Sequence, residues 1–441
     1  MKKVFMGALV LVTLGLWSCN QEEMKSTAEN EETQVVEQGF TVLEEREMSG
    51  TELFQEAMQG MQELEGTDAY LGLKAAFEKA NEEMNGEDPS TRAIVPALYK
   101  TVRIEYQTTD QDMNPVTASA LIVYPLLKHI KQVMLINHGT QIGFMMVPTS
   151  YTSVEGIMAA TGSLCIMPDY IGLGSSSDHA DLYLNHDVHG RTSVDALLAL
   201  LDYAKAKKLW LDSNYKTTIL GYSQGGSVSL ASLREVQRRD AATQAKIKLD
   251  HVFCGDGPYD LTRTFLSYME DYEAGKKMGL GSVIPLVINS MFNSYPSEVA
   301  DMNYEDFFTE SCLATGVPQA IRANEEDVLD MVVRLNGKNL DEILNMEFIE
   351  QYPEKLDKLI ELMDRQNLCV GWQPEYKLKL LHCNPDGVVP FSNFEEAAAN
   401  LMNDNVETEV VNINTNLLSE PLLQHIYGML VMLTEVLGDK L

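Results

Sequence analysis

Basic residues are scarce in this sequence. Its 441 residues include 33 Lys and Arg against 65 Asp and Glu, a formal net charge of -32. A field of that sign repels phosphate backbones, so the composition argues against nucleic acid as a partner. After the first 18 residues the chain also has no run of 18 apolar residues, which excludes a membrane-spanning helix in a mature protein.

Motifs for cofactors and metals are absent as well. No G-x-x-x-x-G-K-[ST] phosphate loop is present, and Gly172 and Gly174 lack the third glycine and the downstream acid of a dinucleotide site. His179, His186 and His189 lie beside acidic residues, but their spacing is irregular and no H-E-x-x-H motif accompanies them. We therefore predict a solvated polar loop there, no metal and no cofactor.

Cysteine is too rare to form a disulfide framework. Setting aside Cys19, which is treated below, five thiols remain, and an odd number excludes a fully paired set. Cys312 and Cys369 could be joined in an oxidising compartment, and the sequence leaves a disulfide and two free thiols equally open. The other three lie in or next to predicted strands and are expected to be buried: Cys165, Cys254 and Cys383.

The chain begins with a segment typical of a secretory signal. Lys2 and Lys3 precede an apolar run, residues 4–16, that is too short to span a bilayer. The run ends in L-W-S-C, which resembles the lipobox of bacterial lipoproteins and implies lipidation of Cys19 and anchoring in a bacterial cell envelope. An ordinary cleaved signal is the alternative. Residues 20–23, with their two acids, resemble the export tag of some outer-membrane lipoproteins, which predicts display at the cell surface.

Beyond residue 94 short apolar runs alternate with amphipathic stretches. This rhythm predicts an α/β fold with a mainly parallel sheet covered by helices on both faces. Two runs around a polar turn at 110–114 predict an antiparallel hairpin at the sheet edge. The chain divides into a signal peptide (1–18), a polar tether (19–48), a helical segment begun by a Ser49–Glu52 capping box (49–94), and a core (95–258 and 374–441) interrupted by an all-helical cap (259–373).

A strand-to-helix turn holds the most informative motif, G-Y-S-Q-G-G, in which Ser223 follows a predicted strand at 217–220. A tight turn strains the serine backbone, and the flanking Gly221 and Gly225 are needed because side chains there would collide with neighbouring backbone. The hydroxyl is thereby lifted clear of the sheet. The N–H of Gln224 begins the helix, where it can hold a developing oxyanion. The motif predicts a nucleophilic serine.

Such a serine needs a base and an acid to orient that base. Asp386 lies in a turn after a predicted strand at 378–381, and His425 precedes the final helix, which gives the chain order Ser, Asp, His. Asp256, in a G-D-G sequence after an earlier strand, is the alternative acid. Replacement of Asp386 by Asn should cost orders of magnitude in turnover, and replacement of Asp256 should not.

From about residue 95 to the end, the serine turn, the D-x-x-V-P sequence at 386–390 and the late histidine resemble the α/β-hydrolases. More narrowly, N-H-G-T at 137–140 and P-D-Y-I-G-L-G at 168–174 are similar to secreted lipases and esterases with a helical lid. The resemblance implies that Thr140 donates the second oxyanion N–H and that His138 belongs to the oxyanion loop. Cys383 departs from the family, which usually has glycine after the histidine of that strand.

The resemblance implies a serine hydrolase that cleaves carboxylic esters through an acyl-enzyme. The cap is rich in methionine and contains an apolar stretch at 283–287, which would suit an apolar or bulky acyl group, although for most of these residues a place in the core of the cap is the favoured alternative. Asp169 and Tyr170, at the end of a strand, either shape the pocket or fix the loop around it. A prolyl-type aminopeptidase, an acyltransferase and an inactive binding lipoprotein remain alternatives with the same residues.

Overall fold

A computed structural model describes residues 39–58, 65–66, 68–84, 98–141, 147–150, 154–324, 333–413 and 421–440. The predicted signal peptide, Cys19 and the tether up to residue 38 lie outside the described residues. Of the helices described, none is both long enough and apolar enough to cross a membrane.

A single sheet is the centre of the described structure. Its strands are β1 Phe40–Ser49, β2 Leu98–Thr109, β3 Pro115–Pro125, β4 Ile130–Asn137, β5 Leu164–Pro168, β6 Leu211–Tyr222, β7 Leu249–Gly255, β8 Lys377–Asn384 and β9 Val406–Asn412. They lie in the order β1-β2-β3-β5-β4-β6-β7-β8-β9. Neighbours from β1 to β5 pair antiparallel, and neighbours from β5 to β9 pair parallel. The predicted α/β fold with a mainly parallel sheet is confirmed.

Helices cover both faces of this sheet, and further helices form the cap. They are α1 Gly50–Ala57, α2 Asp68–Met84, α3 His186–Ala206, α4 Gln224–Arg238, α5 Ala241–Ile247, α6 Leu261–Glu273, α7 Val283–Ser294, α8 Glu310–Leu313, α9 Val317–Ala323, α10 Met346–Gln351, α11 Pro353–Asp364, α12 Phe391–Leu401 and α13 Pro421–Lys440. Short 3-10 segments lie in some connections, such as Val154–Thr161 between β4 and β5.

The protein has one apolar core on each face of the sheet, because successive side chains of a strand point to opposite faces. In β4, Val133 and Leu135 belong to the apolar cluster that includes α3, α4 and α12, while Met134 and Ile136 belong to the cluster that includes α1, α2 and α13. All four side chains are fully buried. A strand buried on both faces appears in the sequence as an unbroken apolar run, which is why the parallel strands could be predicted.

Strand β1 corrects the predicted tether. Residues 40–48 fall within the segment 19–48 assigned to it, yet they pair antiparallel with β2 at the edge of the sheet. The acids that suggested a solvated linker form ion pairs across the strands, Glu44 with Arg103 at 2.8 Å and Glu45 with Lys100 at 2.5 Å. The β2–β3 hairpin therefore forms as predicted, but it does not lie at the sheet edge.

The helical segment after β1 begins as predicted. Ser49 and Glu52 form the capping box, in which the Ser49 N–H donates to the Glu52 carboxylate at 2.7 Å and the Glu52 N–H donates to Ser49 Oγ at 3.2 Å. Leu53 of α1 and Leu73 of α2 are fully buried in the same apolar cluster as residues of α13. These helices therefore cover one face of the sheet.

Helices α6 to α11 lie within the insertion and have an apolar core of their own, which includes Phe307, Leu344 and Leu362. The cap is not purely helical, because an antiparallel bridge pairs Phe308 with Leu344. The possible disulfide is not formed: the described cysteines are all free, with Cys312 in the cap core and Cys369 in the core beneath the sheet.

Candidate active site

Ser223 occupies the turn between β6 and α4. Its backbone has φ +59° and ψ -126°, outside the regions that L residues prefer, and local strain of this kind is typical of functional sites. A Cβ at Gly221 would collide with the carbonyl oxygen of Gly225, and a Cβ at Gly225 would collide with the carbonyl oxygen of Asn137. The turn therefore requires glycine at both positions.

Two backbone segments adjoin the serine. Gln224 is the first residue of α4, so its N–H belongs to the turn of the helix that lacks intrahelical acceptors. On the other segment, which follows β4, a Cβ at Gly139 would lie 3.9 Å from the Cβ of Ser223. Thr140 comes next and lines the same cavity as Ser223.

His138 begins that second segment, and it is almost fully buried. Its Nδ1 lies 2.7 Å from the carbonyl oxygen of Gly139, and its ring stacks on Tyr170 with the ring centroids 4.1 Å apart. Burial lowers the pKa of His138 to about 4. A neutral, buried imidazole of this kind supports the loop and does not act as a base.

His425 lies near the start of α13 and not ahead of the final helix as predicted, and it forms a buried pair with Asp386. Nδ1 of His425 lies 2.6 Å from Oδ2 of Asp386, and the Asp386 carboxylate also accepts the backbone N–H groups of Val388 at 2.7 Å and Val389 at 3.0 Å. The His425 ring packs against Tyr222, the residue before the serine, with centroids 5.0 Å apart. Nε2 of His425 is buried and makes no hydrogen bond with the described residues.

The electrostatics of this pair suit a base held by an acid. Burial by itself would raise the pKa of Asp386, but the His425 imidazole and its hydrogen bond bring that pKa below its usual value. Burial by itself would lower the pKa of His425, but the Asp386 charge raises it above 6.5. Nε2 is therefore a base of increased strength.

Asp256 lies nearby but contacts a different histidine. Its carboxylate is fully buried, lies 2.7 Å from Nδ1 of His382, and accepts the Cys383 N–H at 2.8 Å and the Tyr222 hydroxyl. The prediction that His382 is a core residue agrees with its burial, but of its ring nitrogens only Nδ1 has a partner among the described residues, so the side chain is not fully satisfied. Asp386, and not Asp256, is the carboxylate that His425 contacts.

A narrow apolar cavity of about 30 Å³ lies above the serine. Its floor includes Thr140 and Ser223, and its walls are contributed largely by the cap. The described residues that line it include no charged side chain, and the apolar wall residues include Phe265 and Tyr268 from α6 and Val283, Ile284 and Val287 from α7.

Two tyrosines join the cap side of the cavity to the loops of the core. The hydroxyl of Tyr183 lies 2.9 Å from Oγ1 of Thr140, and the hydroxyl of Tyr268 donates to the carbonyl oxygen of Val388 at 2.7 Å. Sequence reasoning missed both residues. No local motif identifies them, because their contacts depend on how the cap packs against the core.

The prediction for the three clustered histidines was wrong. His186 and His189 lie in the first turn of α3 and are fully buried, so they do not form a solvated loop with His179. Burial lowers the pKa of His186 to about 4 and that of His189 to about 3. Among the described residues, the one group placed to hold a metal is Asp256, His382 and Asp386. These side chains already have protein partners, because Asp256 contacts His382 and accepts the Cys383 N–H, and Asp386 accepts the Val388 N–H.

Asp169 fixes the loop and does not line the cavity above the serine. It is fully buried and accepts hydrogen bonds from Ser119 Oγ at 2.5 Å and from the Thr149 N–H at 3.0 Å. Burial raises the pKa of Asp169 to about 6. Of the two roles considered for this residue, the contacts favour the structural one.

The architecture is similar to that of solved esterases and lipases. A ligand-bound form of the rice cell wall degrading esterase LipA from Xanthomonas oryzae has a TM-score of 0.67 and 17% identity, covering 90% of this chain and 97% of that chain. Candida antarctica lipase A in its closed state has a TM-score of 0.53 and 13% identity, covering 72% and 73%. No protein-family model and no curated protein matches the sequence. The chain therefore has the α/β-hydrolase fold that these esterases and lipases share.

Proposed function

We propose that the protein is a serine hydrolase that cleaves carboxylic esters through an acyl-enzyme. The observation that carries the proposal is the buried His425–Asp386 pair, in which Nε2 of His425 has no partner among the described residues and the ring packs on Tyr222, the residue before the strained Ser223. A base oriented by a buried acid is what a serine hydroxyl needs in order to become a nucleophile. The shared fold with an esterase and a lipase supports the same conclusion.

In the proposed mechanism, Ser223 Oγ attacks the ester carbonyl carbon while its proton passes to Nε2 of His425. Asp386 holds the imidazole and stabilises the imidazolium. The N–H groups of Gln224 and Thr140 donate to the tetrahedral oxyanion. The intermediate collapses, His425 protonates the departing alcohol, and the acyl group stays on Ser223. Water then attacks the acyl-enzyme and gives a proton to His425, the bond between the acyl carbon and Ser223 Oγ breaks, and His425 returns the proton to Oγ as the acid leaves.

The cavity favours an uncharged, apolar group on the substrate. Its cap walls are aliphatic and aromatic, as in sites that bind apolar groups. An aminopeptidase would need an acidic group to hold the substrate ammonium. The described lining offers none, so the ester hydrolase is preferred to the prolyl-type aminopeptidase.

The test is hydrolysis by purified protein that lacks residues 1–19. We expect turnover of p-nitrophenyl esters, with a preference for apolar acyl groups, and little turnover of amino-acid anilides. Ser223→Ala should abolish ester turnover, while Ser213→Ala, an exposed serine at the far end of the same strand, should keep it. Anilide turnover above ester turnover would favour the peptidase, and transfer to an added alcohol in preference to water would favour the acyltransferase.

We also propose that the protein is a bacterial lipoprotein held at the cell envelope by a lipid on Cys19. The support is the sequence alone: a short apolar run, a lipobox-like end and a polar segment that separates the cysteine from β1. Anchoring would place the hydrolase near the membrane without any spanning helix.

A further inference from the structure

Next to the Asp386–His425 pair lies a second buried acid–histidine pair, which the proposed mechanism does not use. Asp256 and His382 are 0% and 1% exposed at their side chains, and Nδ1 of His382 lies 2.7 Å from Oδ1 of Asp256. The two pairs are adjacent, because ligand atoms of Asp256, His382 and Asp386 all lie within 4.8 Å of one another. The carboxylates of Asp256 and Asp386 thus lie in one buried region with the base, His425.

We propose that Asp256 is a positioning residue for the reaction, a second fixed negative charge that stabilises the His425 imidazolium, and that His382 keeps this charge in place. The inference rests on the proposed function, since it assigns a role in that mechanism. Asp256 does not touch His425, so its effect would be electrostatic and transmitted through a dry interior, where charges interact more strongly than in water.

The contacts of Asp256 favour its ionised form. Burial raises the pKa of Asp256, and the His382 imidazole opposes that rise. The carboxylate also accepts hydrogen bonds from the Cys383 N–H and the Tyr222 hydroxyl. Tyr222 also packs on the His425 ring and directly precedes the serine. The same tyrosine therefore links the second carboxylate to the base.

The charge of Asp256 acts on His425 in the required direction. The imidazolium that forms when Ser223 loses its proton is stabilised by any nearby negative charge, and Asp256 adds to the effect of Asp386 in raising the pKa of His425. The titratable side chains around this region are Tyr222, Asp256, Tyr268, His382, Cys383 and Asp386.

The experiment compares the pH dependence of kcat/KM in Asp256→Asn, His382→Gln and the double variant. Asp256→Asn should move the acid limb to lower pH and reduce kcat about 10-fold, a coupling typical of one hydrogen-bond network. His382→Gln should shift the acid limb in the same direction. Without the hydrogen bond from His382, the Asp256 carboxyl group keeps its proton and no longer carries the negative charge that stabilises the imidazolium. The double variant should resemble the single ones. Asp195→Asn, which changes a half-buried carboxylate paired with Arg239, is the control and should leave the limb in place.

A merely structural role for Asp256 would lower thermal stability without moving the limb, and that result, or additive losses in the double variant, would overturn the proposal. If these variants do not fold, Tyr222→Phe removes another donor from Asp256 and should shift the limb likewise. NMR titration of His425 in Ser223→Ala protein, with and without Asp256→Asn, separates the two claims. If Asp256→Asn shifts the His425 pKa but protein with Ser223 intact does not hydrolyse esters, the proposed function alone is refuted. If that protein hydrolyses esters but Asp256→Asn leaves the His425 pKa unchanged, the coupling alone is refuted.

Discussion

Two buried aspartates near one base differ in what they touch. Asp386 contacts His425, and Asp256 contacts His382. We therefore predict that Asp386→Asn lowers kcat by about 10⁴-fold, since an asparagine would favour the wrong imidazole tautomer. Asp256→Asn, the matched control, should lose about 10-fold. Steady-state kinetics on one ester measure both, and the reverse ranking would make Asp256 the acid.

The raised pKa of His425 predicts where activity is lost in acid. The base works only when its Nε2 is unprotonated, so kcat/KM should fall as the pH drops through the pKa of His425. Because Asp386 raises that pKa above the ordinary 6.5, the midpoint of the acid limb should lie above pH 6.5. Asp386→Asn should move it to lower pH. A midpoint well below 6.5 in the unaltered protein would contradict the ion pair.

Individual residues could be predicted where a local motif dictates them. The glycines around Ser223 are required by backbone contacts within one strand-to-helix turn, so the sequence displays them together. The burial of His186 and His189 could not be predicted, because it depends on how the first turn of α3 packs. The neighbours of Asp256 come from β6 and β8, and no spacing along the chain reveals that they meet.

At the scale of elements, the cap helices α6 and α7 form much of the cavity wall. Val287→Trp should shorten the preferred acyl chain, because the indole would fill space that longer chains need. We expect kcat/KM for a long-chain ester to fall about 10-fold or more relative to that for the acetate ester.

The control for this prediction is Leu266→Trp. Leu266 lies on α6 next to the wall residue Phe265, but it is 40% exposed and does not line the cavity. Its replacement should leave chain-length preference unchanged. Equal effects of both variants, or no effect of Val287→Trp, would show that the acyl group lies elsewhere.

Among the elements, the strands that are buried on both faces could be predicted from the sequence, and the edge strand β1 could not. Residues of β4 form a continuous apolar run, whereas β1 exposes most of its side chains and contains Glu44, Glu45 and Glu47. Local composition alone could not distinguish such a strand from a solvated linker, because its partners, the backbone of β2 and the basic side chains on it, lie roughly 50 residues or more away along the chain.

At the scale of the whole molecule, the chain combines a hydrolase fold with a proposed lipid anchor. In a bacterial host that processes lipoproteins, the full chain should incorporate radiolabelled palmitate and fractionate with membranes. Cys19→Ser should lose both properties, while Cys312→Ser, a buried cysteine of the cap, should retain the label. Unlabelled, soluble wild-type protein would contradict the anchor.

The central claim is that Ser223 is an activated nucleophile, and covalent labelling tests it most directly. Protein lacking residues 1–19 would be treated with a fluorophosphonate, with Ser223→Ala and Ser213→Ala beside it, and the adduct located by peptide mapping. The account predicts one adduct, on Ser223, that is absent from Ser223→Ala and present in Ser213→Ala. Protein that remains unlabelled at Ser223 while it hydrolyses esters, or an adduct on another serine, would contradict it.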